Sequence, residues 1–258
     1  MTTHAIPRSG SAGAPIAPRI TLAVASRVLT QLRRDHRTLA MLLVLPCLLI
    51  SLLWWMFEGT SVFDLVGPAL LAMFPFIVMF LVTSVTTLRE RSSGTLERLL
   101  SMPMGKLDFL LGYALAFGLV AAVQSALAVG ISVGLLGLDV VGPVWLLTLV
   151  AVADAVLGTA LGLLVSAFAQ TEFQAVQFMP LLVIPQILLC GLFIPREQLP
   201  AALEAISNVL PLSYAVDAMQ QLTRTTETGE VWQDLAVVAG FALAGLALGA
   251  ATLRRRTA

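Results

Sequence analysis

The chain has 258 residues, 58% hydrophobic and 12% charged, with a mean hydropathy of +0.93 and a formal charge of zero. This composition excludes a soluble enzyme and predicts an all-α, polytopic integral membrane protein. The charges lie in loops, form no broad basic surface, and give no reason to expect nucleic acid as a partner.

Residues 1–19 contain Pro, Ser and Gly and no apolar h-region, so they are expected to form a disordered cytoplasmic tail without a cleavable signal peptide. Residues 20–256 read as one transmembrane domain. Ile20–Arg37 mixes Ile20, Leu22, Val24, Val28, Leu29 and Leu32 with Arg27, Arg33, Arg34 and Arg37. That pattern predicts an N-terminal interfacial helix on the inner leaflet, apolar side down and arginines at the headgroups. The charged flank of the first span is the overlapping alternative.

Six spans are predicted, at about 38–57, 65–88, 109–138, 144–168, 173–195 and 235–253. Thr38–Phe57 carries no charge over 20 residues, and Trp54, Trp55 and Phe57 mark its far end as an aromatic belt. Pro68 and Pro75 interrupt the second span, and Pro180 and Pro185 the fifth. The third, uncharged for 30 residues, exceeds the bilayer and must tilt, kink or extend past it. Thirteen of the fifteen Lys and Arg residues fall before the first span, in 89–108 and at the C-terminus, against Arg196 and Arg224 elsewhere. By the positive-inside rule both termini and the 89–108 loop face the cytoplasm. Gly130/Gly134, Gly158/Gly162 and Gly245/Gly249 are three G-x-x-x-G pairs, read first as packing within the chain and second as dimer contacts. No internal repeat is visible, which weighs against the common secondary-transporter architectures.

Two stretches stand out. Between the second and third spans, Gly94 can cap a helix that Pro103 stops, and Leu96, Leu99 and Leu100 form an apolar stripe on it. A bare stripe on a cytoplasmic loop calls for a protein partner. After Pro195, the pieces Leu199–Leu210 and Leu212–Leu222 are too short to cross and too apolar for a free loop. They predict an external re-entrant helical hairpin, with Pro200 starting the first piece and Pro211 separating the two. An amphipathic pair exposed to water is the plainer alternative.

No enzyme site emerges. The only histidines, His4 and His36, both lie near the N-terminus, so no His-based triad or His-rich metal site can form. No P-loop exists, since Gly105-Lys106 is followed by Leu107 and position 100 is Leu. Cys47 and Cys190 lie in apolar segments and read as small buried residues. Asp154 is the one acid deep within a span, and burying it costs about 2.5–3.5 kcal/mol on insertion scales. Either it sits on a substrate or proton path, or it pins helices by a hydrogen bond, with Gln124 as the candidate partner. Gln170, Gln174, Gln177 and Gln186 read as interhelical glue.

The run Arg91-x-x-Gly94-Thr95-Leu96-Glu97-x-Leu99, with Met104 beyond it, resembles the cytoplasmic signature of ABC-2 type permeases. Gly191-Leu192-Phe193-Ile194-Pro195, then Leu199-Pro200 and Leu210-Pro211-Leu212-Ser213-Tyr214-Ala215-Val216-Asp217, resembles a second signature of the same family. The nearest resemblance is to the daunorubicin-resistance-type multidrug and lipid exporters, across essentially residues 20–256. It implies the plasma-membrane half of an ATP-driven exporter, paired with a second copy or a related permease and docked by two separate nucleotide-binding ATPase subunits. ATP and Mg would be bound by those subunits, with no cofactor in this chain. The implied ATPase-coupling residues are Glu90, Arg91, Gly94, Thr95, Leu96, Glu97, Arg98, Leu99, Leu100, Met102 and Pro103, and the 169–172 loop falls where a second, smaller contact is expected. The implied external re-entrant segment includes Gly191, Pro195, Leu199, Pro200, Pro211 and Tyr214. Amphipathic drugs or lipids would enter from the inner leaflet along the second and fifth spans, past Met73, Phe76, Met79, Phe178 and Met179, with Asp154 as the one polar candidate. A lipid-linked glycan is the alternative cargo. A stand-alone proton-coupled transporter using Asp154, or a membrane scaffold, is the alternative activity.

Overall fold

The computed structural model describes residues 17–92 and 106–252, and all regular structure among them is helical. In chain order the helices are α1 (Pro18–Arg34), α2 (His36–Met56), α3 (Val62–Ser92), α4 (Lys106–Gly134), α5 (Val144–Phe168) and α6 (Glu172–Leu189). A single 3-10 turn (Arg196–Gln198) follows, then α7 (Ala201–Ser207), α8 (Pro211–Arg224) and α9 (Gly229–Thr252). Helices α2, α3, α4, α5, α6 and α9 are long and apolar enough to cross a membrane, in agreement with the six predicted spans.

The helix ends are explained by local chemistry. Asp35 ends α1 and caps α2: its carboxylate accepts from the Thr38 amide at 3.1 Å and from the Thr38 hydroxyl at 2.6 Å. Pro143 precedes α5, while Thr171 caps α6 by accepting from the Gln174 amide at 3.1 Å. The Gln174 side chain reaches back to the Gln170 amide at 2.8 Å, close to a capping box. The expected length of the third span resolves as a helix that starts before the apolar run and stops at Gly134. The chain then turns through Gly137 at φ +71°, and Leu138 is buried.

Helix α3 is the hub, packed on α2, α4, α5, α6 and α8. Its tightest contact is with α5. A Cβ on Gly158 would lie 2.5 Å from the Phe76 carbonyl oxygen, and one on Gly162 would lie 2.6 Å from that of Phe80. Only glycine lets these backbones touch, which is how helices gain dispersion contact where lipid removes the hydrophobic driving force. The other two G-x-x-x-G pairs do not act this way: Gly245 and Gly249 make ordinary contacts, and nothing lies within 4 Å of Gly130 or Gly134.

Helix α1 differs from its expected placement. Its stripe of Thr21, Val24, Ala25, Val28 and Leu32 is buried in the protein instead of facing lipid. A Cβ on Gly112 would fall 2.6 Å from the Val24 Cβ, so α1 lies directly against α4. The smooth Gly112 surface and the aromatic row Phe109, Tyr113 and Phe117 supply a better partner for the stripe than acyl chains.

Candidate functional site

The predicted coupling segment straddles the described region. Gly94, Thr95, Leu96, Glu97, Arg98, Leu99, Leu100, Met102 and Pro103 lie outside the described residues, and Arg91 is described only as part of the α3 backbone. The end of α3 and the start of α4, the two stems that flank it, lie within the described residues. They are held by charge. On α3 the neighbours Arg89 and Glu90 point in different directions, about 100° apart around the helix axis, and so meet different helices. Glu90 turns toward α1, where Arg27 donates to its carboxylate at 2.7 Å and to the Tyr113 hydroxyl of α4 at 2.8 Å. Asp108, on the first turn of α4, accepts from the Ala17 amide at 2.9 Å and the Thr21 hydroxyl at 3.1 Å. Helix α1 thus crosses both stems of the 93–105 segment and bonds each one.

Arg89 turns toward α6. Its guanidinium grips Glu172 with two bonds of 2.9 and 3.0 Å, the fork-to-carboxylate geometry that fixes orientation. Beneath that pair Leu88, Ala169 and Ala175 form a small buried cluster, against which Phe178 packs. The 169–171 turn therefore meets the α3 stem of the 93–105 segment.

The residues predicted to line a path fall into the interior of this chain. Met73 and Phe76 are buried in one core cluster, with the half-buried Phe178 and Met179 packed on its edge. Met79 is buried in the adjoining cluster. Asp154, on α5, is 0% exposed, and neither of its oxygens has a hydrogen-bond partner among the described residues. The bond to Gln124 is not made: Gln124 donates to the Leu42 carbonyl at 2.9 Å, tying α4 to α2 instead. The Gln124 carbonyl oxygen is likewise buried and unpartnered. Gln186 does act as interhelical glue, accepting from the Leu212 amide at 3.3 Å, and Gln174 serves as a cap.

At the opposite end, Gly191 takes φ +91° and turns the chain out of α6. Pro195 and Pro200 precede the 3-10 turn and α7, and Leu199 separates these two elements. Pro211 opens α8 at a position where its missing N–H costs nothing. These are the two short helices expected between the last two spans. A guanidinium holds them together. Arg196 donates to Asp217 on α8 and to Asn208 at the α7–α8 turn, and stacks over the Tyr214 ring 5.0 Å from its centroid. Tyr214 closes the clasp by donating to the Asn208 carbonyl at 2.7 Å, while Ser207 donates to the Leu189 carbonyl at 2.8 Å. Helix α8 buries Leu212, Val216, Met219 and Leu222 against α3, α5 and α9, so the hairpin is packed on the helix bundle. The Leu222 carbonyl also accepts from the Gly142 amide at 2.8 Å.

The sequence reading did not find the pairs Arg27–Glu90, Arg89–Glu172 and Arg196–Asp217. In each pair the partner lies on another element, and the residues beside Arg27, Arg89 and Arg196 share no pattern that announces it.

Comparison with known proteins agrees with this architecture. The "Probable multidrug ABC transporter permease YbhR" of Escherichia coli is 29% identical over 171 residues, 66% of this chain and 46% of that protein. The "Inner membrane transport permease YhhJ" of the same organism is 28% identical over 147 residues, 57% of this chain and 39% of its own length. "ABC transporter G family member 20" of Dictyostelium discoideum is 26% identical over 159 residues, 62% of this chain and 22% of its own length. The chain thus spans about half the length, or less, of the curated relatives it matches. The sequence model of the family described as "ABC-2 type transporter" matches residues 20–223, and on that match the chain belongs to the ABC-2 type transporter family.

Proposed function

We propose that the chain is the membrane subunit of an ATP-driven exporter of amphipathic drugs or lipids, powered by separate ATPase subunits that dock on residues 94–100. Two copies of that ATPase would serve a permease pair, either this chain twice or this chain with a related permease. The observation that carries the reading is the clamp around the 93–105 segment. Both stems of a short charged loop are braced by α1, which bonds Glu90 and Asp108, and one stem is tied to the 169–171 turn by Arg89 and Glu172. A loop with no partner needs no such bracing, whereas one that receives force from a docked subunit does.

Orientation follows from the Lys and Arg distribution, which places this end in the cytoplasm and the α7–α8 hairpin outside. Exposed apolar faces of α2 and α6, including Leu48, Trp55, Phe173 and Leu181, are available to lipid or to a second permease. The multidrug designation of YbhR supports a drug-like cargo. Movement of ethidium into inside-out vesicles, driven by Mg-ATP and abolished by vanadate, tests this function. Uptake that needs only a proton gradient would reject it.

A second reading rests on Asp154, buried with no hydrogen-bond partner among the described residues. A proton-coupled carrier would lose all transport in Asp154→Asn and would run without ATP.

A further inference from the structure

We propose that Arg89 is a positioning residue that ties the orientation of α6 to that of the α3 end, while its neighbour Glu90 anchors the same stem to α1. This inference rests on the exporter reading and adds a residue-level division of labour to it.

The two ion pairs differ in what they can do. Glu90 is 7% exposed, and Arg27 binds it together with Tyr113, so that arm is buried, shared by three helices and built to stay. Arg89 and Glu172 are 65% and 46% exposed. An exposed pair adds little to stability, yet its bidentate geometry sets the direction in which two elements meet. Water can replace its bonds at low cost, so this arm can break and reform within a working cycle.

The far side of the exposed arm is the helix most suited to move. Helix α6 carries Pro180 and Pro185 within 18 residues, each removing a backbone donor. Among its residues only Ala175, Val183 and Gln186 are buried. Beyond the Leu88–Ala175 cluster, Arg89 grips it at the first helical residue, where a small rotation of the α3 end becomes a swing of the whole element. Phe178 and Met179, the path residues predicted on α6, lie two turns further along the same rod. The charged groups around Arg89 are Glu172 and, at longer range from the α1–α2 corner, Asp35.

The test uses the full chain with spin labels at Ser92 and Gln177, both exposed. In detergent the native pair should give one narrow distance distribution. Arg89→Glu, which faces Glu172 with like charge, should broaden it about twofold, and Arg89→Glu with Glu172→Arg should narrow it again. The functional arm takes the same variants from the native membrane. The ATPase recovered with Arg89→Glu should stay within about twofold of native, while ATP-driven ethidium movement falls about fivefold or more and returns in the double variant. An unbroadened distribution, or native dye movement by Arg89→Glu, overturns the proposal. A native chain that recovers no ATPase overturns the exporter reading instead, and the spin-label arm, which needs no ATPase, still decides whether Arg89 ties α6.

Discussion

Arg27 donates to Glu90 at 2.7 Å across a separation of 63 residues, joining the first described helix to the end of the hub helix. The carboxylate is buried, so removing Arg27 takes away a charge that balances it where water cannot substitute. Arg27→Met or Glu90→Gln is expected to lower stability by about 1–3 kcal/mol, less than for a fully enclosed pair because Arg27 is one-third exposed. Tyr113→Phe, which removes only one arm of the guanidinium's grip, should cost about 1 kcal/mol. Unfolding of the solubilised protein followed by intrinsic fluorescence checks the order, and equal losses in all three variants would contradict it.

The α3–α5 contact predicts a sharp contrast among glycines. Gly158→Ala and Gly162→Ala put a methyl against a backbone carbonyl that cannot move aside, and each should cost about 1–3 kcal/mol and reduce folded yield. Gly130→Ala and Gly134→Ala meet nothing within 4 Å and should be neutral or slightly stabilising. Size-exclusion recovery and apparent Tm read both pairs, and a reversed order would show that α3 and α5 do not touch at Phe76 and Phe80.

The hairpin clasp should fail at one residue. Arg196→Ala removes the bonds to Asp217 and Asn208 and the stacking on Tyr214 together, leaving Asp217 unpaired. Protease cleavage within 196–210 should rise about tenfold or more, while α8 keeps its packing on the bundle. Arg196→Lys, a point charge without the fork, should restore the protection only in part.

Asp35 carries a pH dependence. Hydrogen bonds from the Thr38 hydroxyl and amide hold its carboxylate below the usual range. The fold therefore favours the ionised form, so the cap is complete above the ordinary carboxylate value and is lost as the pH falls through the lower folded value. Amide exchange at Thr38 and Leu39 should be faster in Asp35→Ala than in the native chain at about pH 6, with the difference vanishing near about pH 2. A difference that persisted in acid would show that the carboxylate is not the cap.

What could be read from residues alone follows from the kind of force involved. The six crossings were legible because apolar runs of 19 residues or more carrying at most one charge have few other uses, and the α7–α8 hairpin because Pro200 and Pro211 punctuate it. The α1 stripe was legible as amphipathic but assigned to lipid, since Val24 and Val28 look the same whether they face acyl chains or Gly112. Asp154 was legible as an anomaly, while its expected partner Gln124 was engaged by a carbonyl of α2 that no side-chain pattern announces. The Gly158/Gly162 contact could not be told from the Gly130/Gly134 pair by spacing, because the difference lies in which backbone stands opposite. Long-range ion pairs such as Arg89–Glu172 depend on the rotational setting of two helices, which the order of residues does not record.

The central claim is that residues 94–100 dock an ATPase. The most direct measurement recovers the tagged full chain from its native membrane and reads co-purifying Mg-ATP hydrolysis, comparing the native chain with Leu96→Asp/Leu99→Asp. The account predicts hydrolysis with the native chain and its loss, with the permease still folded, when the apolar stripe is charged. Equal recovery of hydrolysis by both chains would contradict docking through that segment. A native chain that recovers none, yet moves ethidium on a proton gradient, would contradict the exporter reading itself.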